Sequence, residues 1–185
     1  KKVSWTIDSD FISQIKKQLN EGKDEQAGVL SFKDYNCSNG ICQKTIKEYK
    51  INNGNGTSVY TPGGLINFHT HPKFAYESED AVYGWPSGED LAACISFARD
   101  GTLVHIVFSL EGAYIIKVNK ILNAKDTKLL ENLFKRTHVF RSSDQKNQLI
   151  DFKDTFELPG NTTLKMWLNL ANSISLNKLY KLHNL

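Results

Sequence analysis

Nothing in this 185-residue chain approaches the roughly 18 consecutive apolar residues of a membrane helix, so a helical membrane span is excluded. Lys1-Lys2-Val3 soon gives way to the polar Asp8-Ser9-Asp10 and not to an apolar signal core, which leads us to expect a soluble protein. Cysteine is scarce and odd in number. Cys37, Cys42 and Cys94 do not suffice for a disulfide framework, and the expectation is reduced thiols in an intracellular, cytoplasmic setting. Charge of one sign is lacking too: 23 Lys and Arg against 20 Asp and Glu leave a net charge of +3, too small to suggest nucleic acid. Twelve of those basic residues and six of the acids lie from Lys117 onward, a mildly basic, solvated helical surface. Basic and aromatic residues do not interleave as in a nucleic-acid module, so neither nucleic acid nor membrane is an expected partner. The chain has no internal repeat and no low-complexity tract.

What is present suffices for one sizeable core, with 40% hydrophobic and 11% aromatic residues. Phe11, Ile12, Ile15 and Leu19 recur at helical spacing behind Asp8 or Ser9, either of which caps a helix running to about Asn20. Strands are predicted over 27–32 and 41–51, joined through Asn39-Gly40, a two-residue hairpin signal. Centring the turn there sets Cys37 opposite Cys42. Free thiols are the preferred reading and a labile disulfide the alternative; the pair lacks the C-x-x-C spacing of structural zinc sites. The Gly- and Asn-rich stretch 52–56 reads as a loop. Residues 102–109 and 113–118 are β-rich around Glu111-Gly112, a second hairpin. From about Asp126 the pattern is helical, with Leu129, Leu130, Leu133 and Phe134 in one stripe and Trp167, Leu170, Ala171 and Ile174 in another, separated by Pro159-Gly160. Both stripes read as packing faces, with a protein partner on the C-terminal helices as the alternative.

The chemistry concentrates in Phe68-His69-Thr70-His71-Pro72 and Pro86-Ser87-Gly88-Glu89-Asp90. His69 and His71 end the apolar stretch Leu65-Ile66-Asn67-Phe68, and residues two apart on a strand share a face, so both imidazoles can meet one ion. Catalytic zinc takes three protein ligands and leaves a fourth position open. Asp90 is the nearest candidate for the third. Ser87 and Asp90 also read as the N-cap and acidic third residue of a helix through Leu91 to Arg99 that Gly101 can end, with Cys94 a small buried residue on it. A helix so capped could turn the Asp90 carboxylate back toward the strand end.

These motifs resemble the JAMM metalloproteases, the catalytic branch of the MPN domain. The family pattern is an upstream E-x-x-G-x-L, then H-[ST]-H-P, then S-x-x-D, and the chain supplies Glu25-Gln26-Ala27-Gly28-Val29-Leu30, His69-Thr70-His71-Pro72 and Ser87-Gly88-Glu89-Asp90 in that order. The resemblance spans Glu25 to about Val118. It implies an α/β, MPN-type (cytidine-deaminase-like) fold: a mostly antiparallel sheet with flanking helices, catalytic over 1–125, with a helical C-terminal extension over 126–185. It also implies that His69, His71 and Asp90 hold Zn2+, that Glu25 is the general base activating a zinc-bound water, and that Ser87 steadies the oxyanion. Independently of the family, zinc chemistry needs a proton acceptor, and burial at the head of an apolar run would raise the pKa of Glu25 toward a working base. Alone, Lys23-Asp24-Glu25-Gln26 would read as a solvated turn.

The segment from Pro72 to Pro86 reads as a loop carrying an insertion relative to its family counterpart, a departure from the pattern beside the site. Phe74, Tyr76, Tyr83 and Trp85 give it apolar mass, while Glu77, Glu79 and Asp80 make its middle acidic. It reads either as a cover over a core edge or as a flap gripping a basic protein tail. The expected activity is hydrolysis of amide or isopeptide bonds, with a deubiquitinating or ubiquitin-like isopeptidase leading and a ubiquitin-like conjugate or a peptide as substrate. A peptidase acting on small or cell-wall-type peptides is a second reading. The non-enzyme rival is a structural or virion-associated interaction protein that keeps the fold. The form Trp85-Pro86-Ser87-Gly88 is similar to versions in large DNA viruses, which would make the protein virion-associated.

Overall fold

Asn39 and Gly40 both take left-handed backbone angles, φ 49° and 78°, as a tight hairpin turn demands, and they join two long strands, β2 (Gln26–Ser38) and β3 (Ile41–Asn53). The structure is a computed structural model describing residues 2–79, 84, 86–118, 123–135 and 174–180. Further strands are β1 (Lys2–Ile7), β4 (Ile66–Thr70), β5 (Val104–Ser109), β6 (Gly112–Val118) and β7 (Ile174–Tyr180). They form one mixed sheet in the order β1-β3-β2-β4-β5-β6-β7. β1 with β3 and β4 with β5 are parallel, and the remaining neighbours are antiparallel. The fold is thus mixed α/β, with four described helices around the sheet: α1 (Ser9–Glu21), α2 (Lys73–Ser78), α3 (Gly88–Arg99) and α4 (Ala124–Lys135). None of them is long and apolar enough to cross a membrane.

Asp8 caps α1 by accepting from the Phe11 amide at 3.3 Å, and the helix buries Phe11, Ile15 and Leu19. These pack on one face of the sheet with Leu30, Ile46, Phe68, Ile106 and Phe108. Phe11, Phe68 and Phe108 meet edge-on, with centroids 5.3–5.9 Å apart. Because β4 is central, all five of its residues are buried, and the period of two sends Ile66 and Phe68 into that core while Asn67 and His69 face the opposite side. Gly28 is required here: a Cβ would stand 1.8 Å from the Lys50 carbonyl oxygen and 2.8 Å from the Phe68 ring.

Three expectations need correction. Cys37 and Cys42 are paired in a disulfide and are not free thiols, because the two-residue turn places them directly opposite with Cα atoms 4.1 Å apart; Cys94 is free and buried as expected. The C-terminal extension is not wholly helical. Ile174, read as part of a helical stripe, begins β7, where Ile174-Ser175-Leu176-Asn177 alternates apolar and polar residues and supplies the hydrogen bonds that the edge of β6 would lack. Trp167, Leu170 and Ala171 lie outside the described residues, whereas the first stripe falls on α4 as read. Lastly, the segment after Pro72 is not all loop, since it opens with α2, which buries Ala75 and Tyr76. Tyr83, Trp85 and Asp80 lie outside the described residues.

Candidate metal centre

The Nε2 atoms of His69 and His71 stand 3.0 Å apart at the end of β4, both rings about 5% exposed. Asp90 faces them from the first turn of α3, its Oδ1 3.3 Å from His69 Nε2 and its Oδ2 3.5 Å from His71 Nε2. Three donor atoms therefore converge, all within 4.8 Å of one another, and the group could hold a metal ion. The two roles considered for Asp90 are compatible: Ser87 Oγ accepts from the Asp90 amide at 3.0 Å while the Ser87 amide donates to Asp90 Oδ2 at 2.6 Å, a complete capping box. The cap fixes the carboxylate's direction, leaving its other oxygen toward His69.

The distal ring nitrogens are committed as well. His71 Nδ1 donates to the Gly84 carbonyl at 2.9 Å. His69 Nδ1 lies 2.7 Å from His105 Nε2, and His105 Nδ1 donates to Asn67 Oδ1 at 2.7 Å. In neutral rings this leaves both Nε2 atoms as lone pairs aimed at each other at 3.0 Å, an arrangement that repels unless a cation or proton lies between. That convergence is the physical fit of the donor set to a metal. Burial pushes the His105 pKa well below its ordinary 6.5, and the neighbouring His69 and His71 add to the effect. For Asp90, burial alone would raise the pKa. The charges and hydrogen bonds of His69 and His71 outweigh it and hold the carboxyl well below the ordinary carboxylate range.

Glu25 is buried, and its Oε1 lies 3.9 Å from His71 Nε2, beside the three donors but outside bonding distance. Its backbone is pinned on both sides: the Glu25 amide donates to the Gly56 carbonyl at 3.0 Å and its carbonyl accepts from the Gly54 amide at 2.8 Å. The turn over 54–56 therefore fixes the backbone from which this carboxylate projects. Gly56 has φ 59°, and its amide is held by Asp24 Oδ1 at 2.7 Å.

Glu111, from the β5–β6 turn, supports the other flank. One oxygen accepts from the Gly84 amide at 2.7 Å and the Tyr114 hydroxyl at 2.8 Å, and the other takes the Tyr76 hydroxyl. Burial first, then the Glu111 charge, pushes the Tyr76 hydroxyl pKa up, so it donates as a neutral phenol. Tyr76 is thus a buried anchor, while Phe74 and Glu77 on the same short helix and Glu79 just beyond it are exposed. Sequence reasoning identified His69, His71, Asp90, Glu25 and Ser87, which the structure brings together, and missed His105, Asn67 and Glu111. Asn67 and His105 carried a legible signal: each is a polar residue inside an apolar strand, at odd spacing from the residues that enter the core, and Asn67 lies two residues from His69 on the same face.

No protein-family model matches the chain, and no solved structure does. The chain is similar to an uncharacterized protein, 3R, of Frog virus 3 (isolate Goorha), 33% identical over 64 residues. The match covers 35% of this chain and 14% of that protein, so the chain spans only a small part of its relative's length.

Proposed function

We propose that the protein is a JAMM-type zinc metalloprotease of MPN fold that hydrolyses amide or isopeptide bonds, acting on a ubiquitin-like protein conjugate. The observation that carries this reading is the convergence of His69 Nε2, His71 Nε2 and an Asp90 oxygen on one point, with Glu25 beside it. Tetrahedral zinc with bonds of 2.0–2.1 Å separates neighbouring ligand atoms by about 3.3 Å. The separations of 3.0 Å between the two Nε2 atoms and 3.3 Å from His69 Nε2 to Asp90 Oδ1 agree with two edges of such a tetrahedron, and the second Asp90 oxygen stands 3.5 Å from His71 Nε2. Zinc bound there would polarise a carbonyl and lower the pKa of water. The chain's own residues supply the remainder. Glu25 takes a proton from the attacking water and returns it to the leaving amine as the C–N bond breaks. Ser87 caps α3 as an acceptor, and its hydroxyl proton donates to the oxyanion, a contribution of about 3 kcal/mol. The amphiphilic segment after Pro72 borders the donors, which suits a macromolecular substrate.

Metal analysis of purified protein, joined to a panel of ubiquitin-like conjugates and short peptides, tests the reading. The expected result is close to one zinc per chain and cleavage of a conjugate, with zinc lost in a His69→Ala, His71→Ala double variant. Stoichiometric zinc in that variant overturns the ligand assignment. Zinc without hydrolysis of any substrate returns the scaffold reading.

A further inference from the structure

Beyond the three donors, the buried face of the sheet carries a line of polar groups for which a metalloprotease reading has no assigned use. Asn67 and His69 lie on β4, and His105 lies on the parallel neighbour β5 at the register Asn67↔His105. Asn67 is fully buried and His105 is 3% exposed. Buried polar groups in a sheet interior cost stability unless each is paired, and these are paired in one direction only. The Pro62 carbonyl can only accept, so the Asn67 amide nitrogen, 3.3 Å away, must face it. Asn67 Oδ1 is thereby turned to His105 Nδ1, which must donate across 2.7 Å. In the neutral ring His105 Nε2 is then an acceptor, and the proton between it and His69 belongs to His69 Nδ1, again across 2.7 Å. His69 Nε2 is left bare, facing His71 and Asp90. The rings of His69 and His105 are also stacked, with centroids 4.9 Å apart and planes within 25°, and Phe97 of α3 lies against His105 at 5.4 Å.

The geometry points to His105 and Asn67 as positioning residues that hold His69 in its Nδ1–H tautomer, so that Nε2 is the metal-binding atom before any metal arrives. The inference rests on the proposed metal site, but its mechanism lies in the metal-free protein. Outer partners of a ligating imidazole typically change metal affinity by about 10- to 100-fold when removed. His71 obtains the same service from a backbone carbonyl, whereas His69 depends on two side chains.

Two measurements test this. The first is the nitrogen chemical shifts of His69 in metal-free, selectively 15N-labelled wild-type protein at alkaline pH. The expected pattern is a protonated Nδ1 and a bare Nε2, and the opposite tautomer or an even mixture overturns the proposal. The second is zinc affinity, by competition with a chromophoric chelator, for His105→Phe and His105→Gln. Gln keeps an acceptor for His69 and a donor for Asn67, and Phe keeps ring volume with neither. His105→Phe should bind zinc about 10- to 100-fold more weakly, and His105→Gln should recover to within a few-fold of wild type. Equal loss in both variants, or no loss in His105→Phe, overturns the relay. Should His105→Phe not fold, the wild-type tautomer decides alone. If wild type binds no zinc, the metal reading fails and the tautomer measurement still stands, so the two failures are distinct.

Discussion

Replacing Glu25 with Gln separates holding a metal from using it. The carboxylate Oε1 is 3.9 Å from His71 Nε2 and is not one of the three convergent donors, so the substitution removes no ligand. The Glu25 backbone is held by main-chain bonds to Gly54 and Gly56, which an isosteric amide leaves in place. The fold and the metal content should therefore survive, with stability changed by no more than about 1 kcal/mol and Tm by about 4 °C or less for a chain of this size. Turnover should not survive. An amide cannot accept the proton, and general acid-base catalysis contributes roughly 10²- to 10⁴-fold, which is about 3–5 kcal/mol of barrier. The assay pairs zinc stoichiometry and a melting curve with initial rates on the substrate cleaved by wild type. Full activity in Glu25→Gln would move the base to another residue. Loss of zinc would make Glu25 a ligand and refute the division of roles.

The metal-free protein should lose stability in two acid windows. Unfolded, His105 titrates near 6.5, while in the fold it stays neutral well below that value, so the unfolded chain binds the extra proton and stability falls as pH drops below about 6.5. Asp90 has the same sign lower down, since its folded carboxyl is held well below the ordinary 3.8 and stability falls again as pH drops through that region. Denaturant midpoints from pH 8 to 3 check both, and a flat profile between pH 7 and 5 contradicts the first. Gly28→Val should cost more than about 3 kcal/mol or prevent folding, because its Cβ meets the Lys50 carbonyl and Phe68. Gly63→Val, with open space around it, should stay within about 0.5 kcal/mol of wild type by urea titration.

The parts of this fold that were legible in the sequence are those governed by neighbours in the chain. Asp8 and Ser87 as caps, the Asn39-Gly40 turn, the Glu111-Gly112 hairpin and the two-residue period of His69 and His71 each depend on a few consecutive residues. What escaped is set by pairing across the sheet. β1 gains its place only through parallel register with β3, and β7 only through the edge that β6 offers. His105 lies 36 positions from His69 in sequence and beside it in space. The disulfide was legible as geometry, since the turn sets Cys37 against Cys42, but compartment reasoning from an odd cysteine count pointed the other way.

The Glu111 carboxylate fastens both ends of one excursion of the chain: Tyr76 on its outgoing side and Gly84 on its return. A stretch closed at its base in this way behaves as an exchangeable cassette. Its interior can lengthen, shorten or change chemistry while the return point stays fixed, and that return point is the carbonyl that orients His71. On the proposed hydrolase reading, the residues between the two fastenings can then change while Gly84 keeps its hydrogen bond to His71.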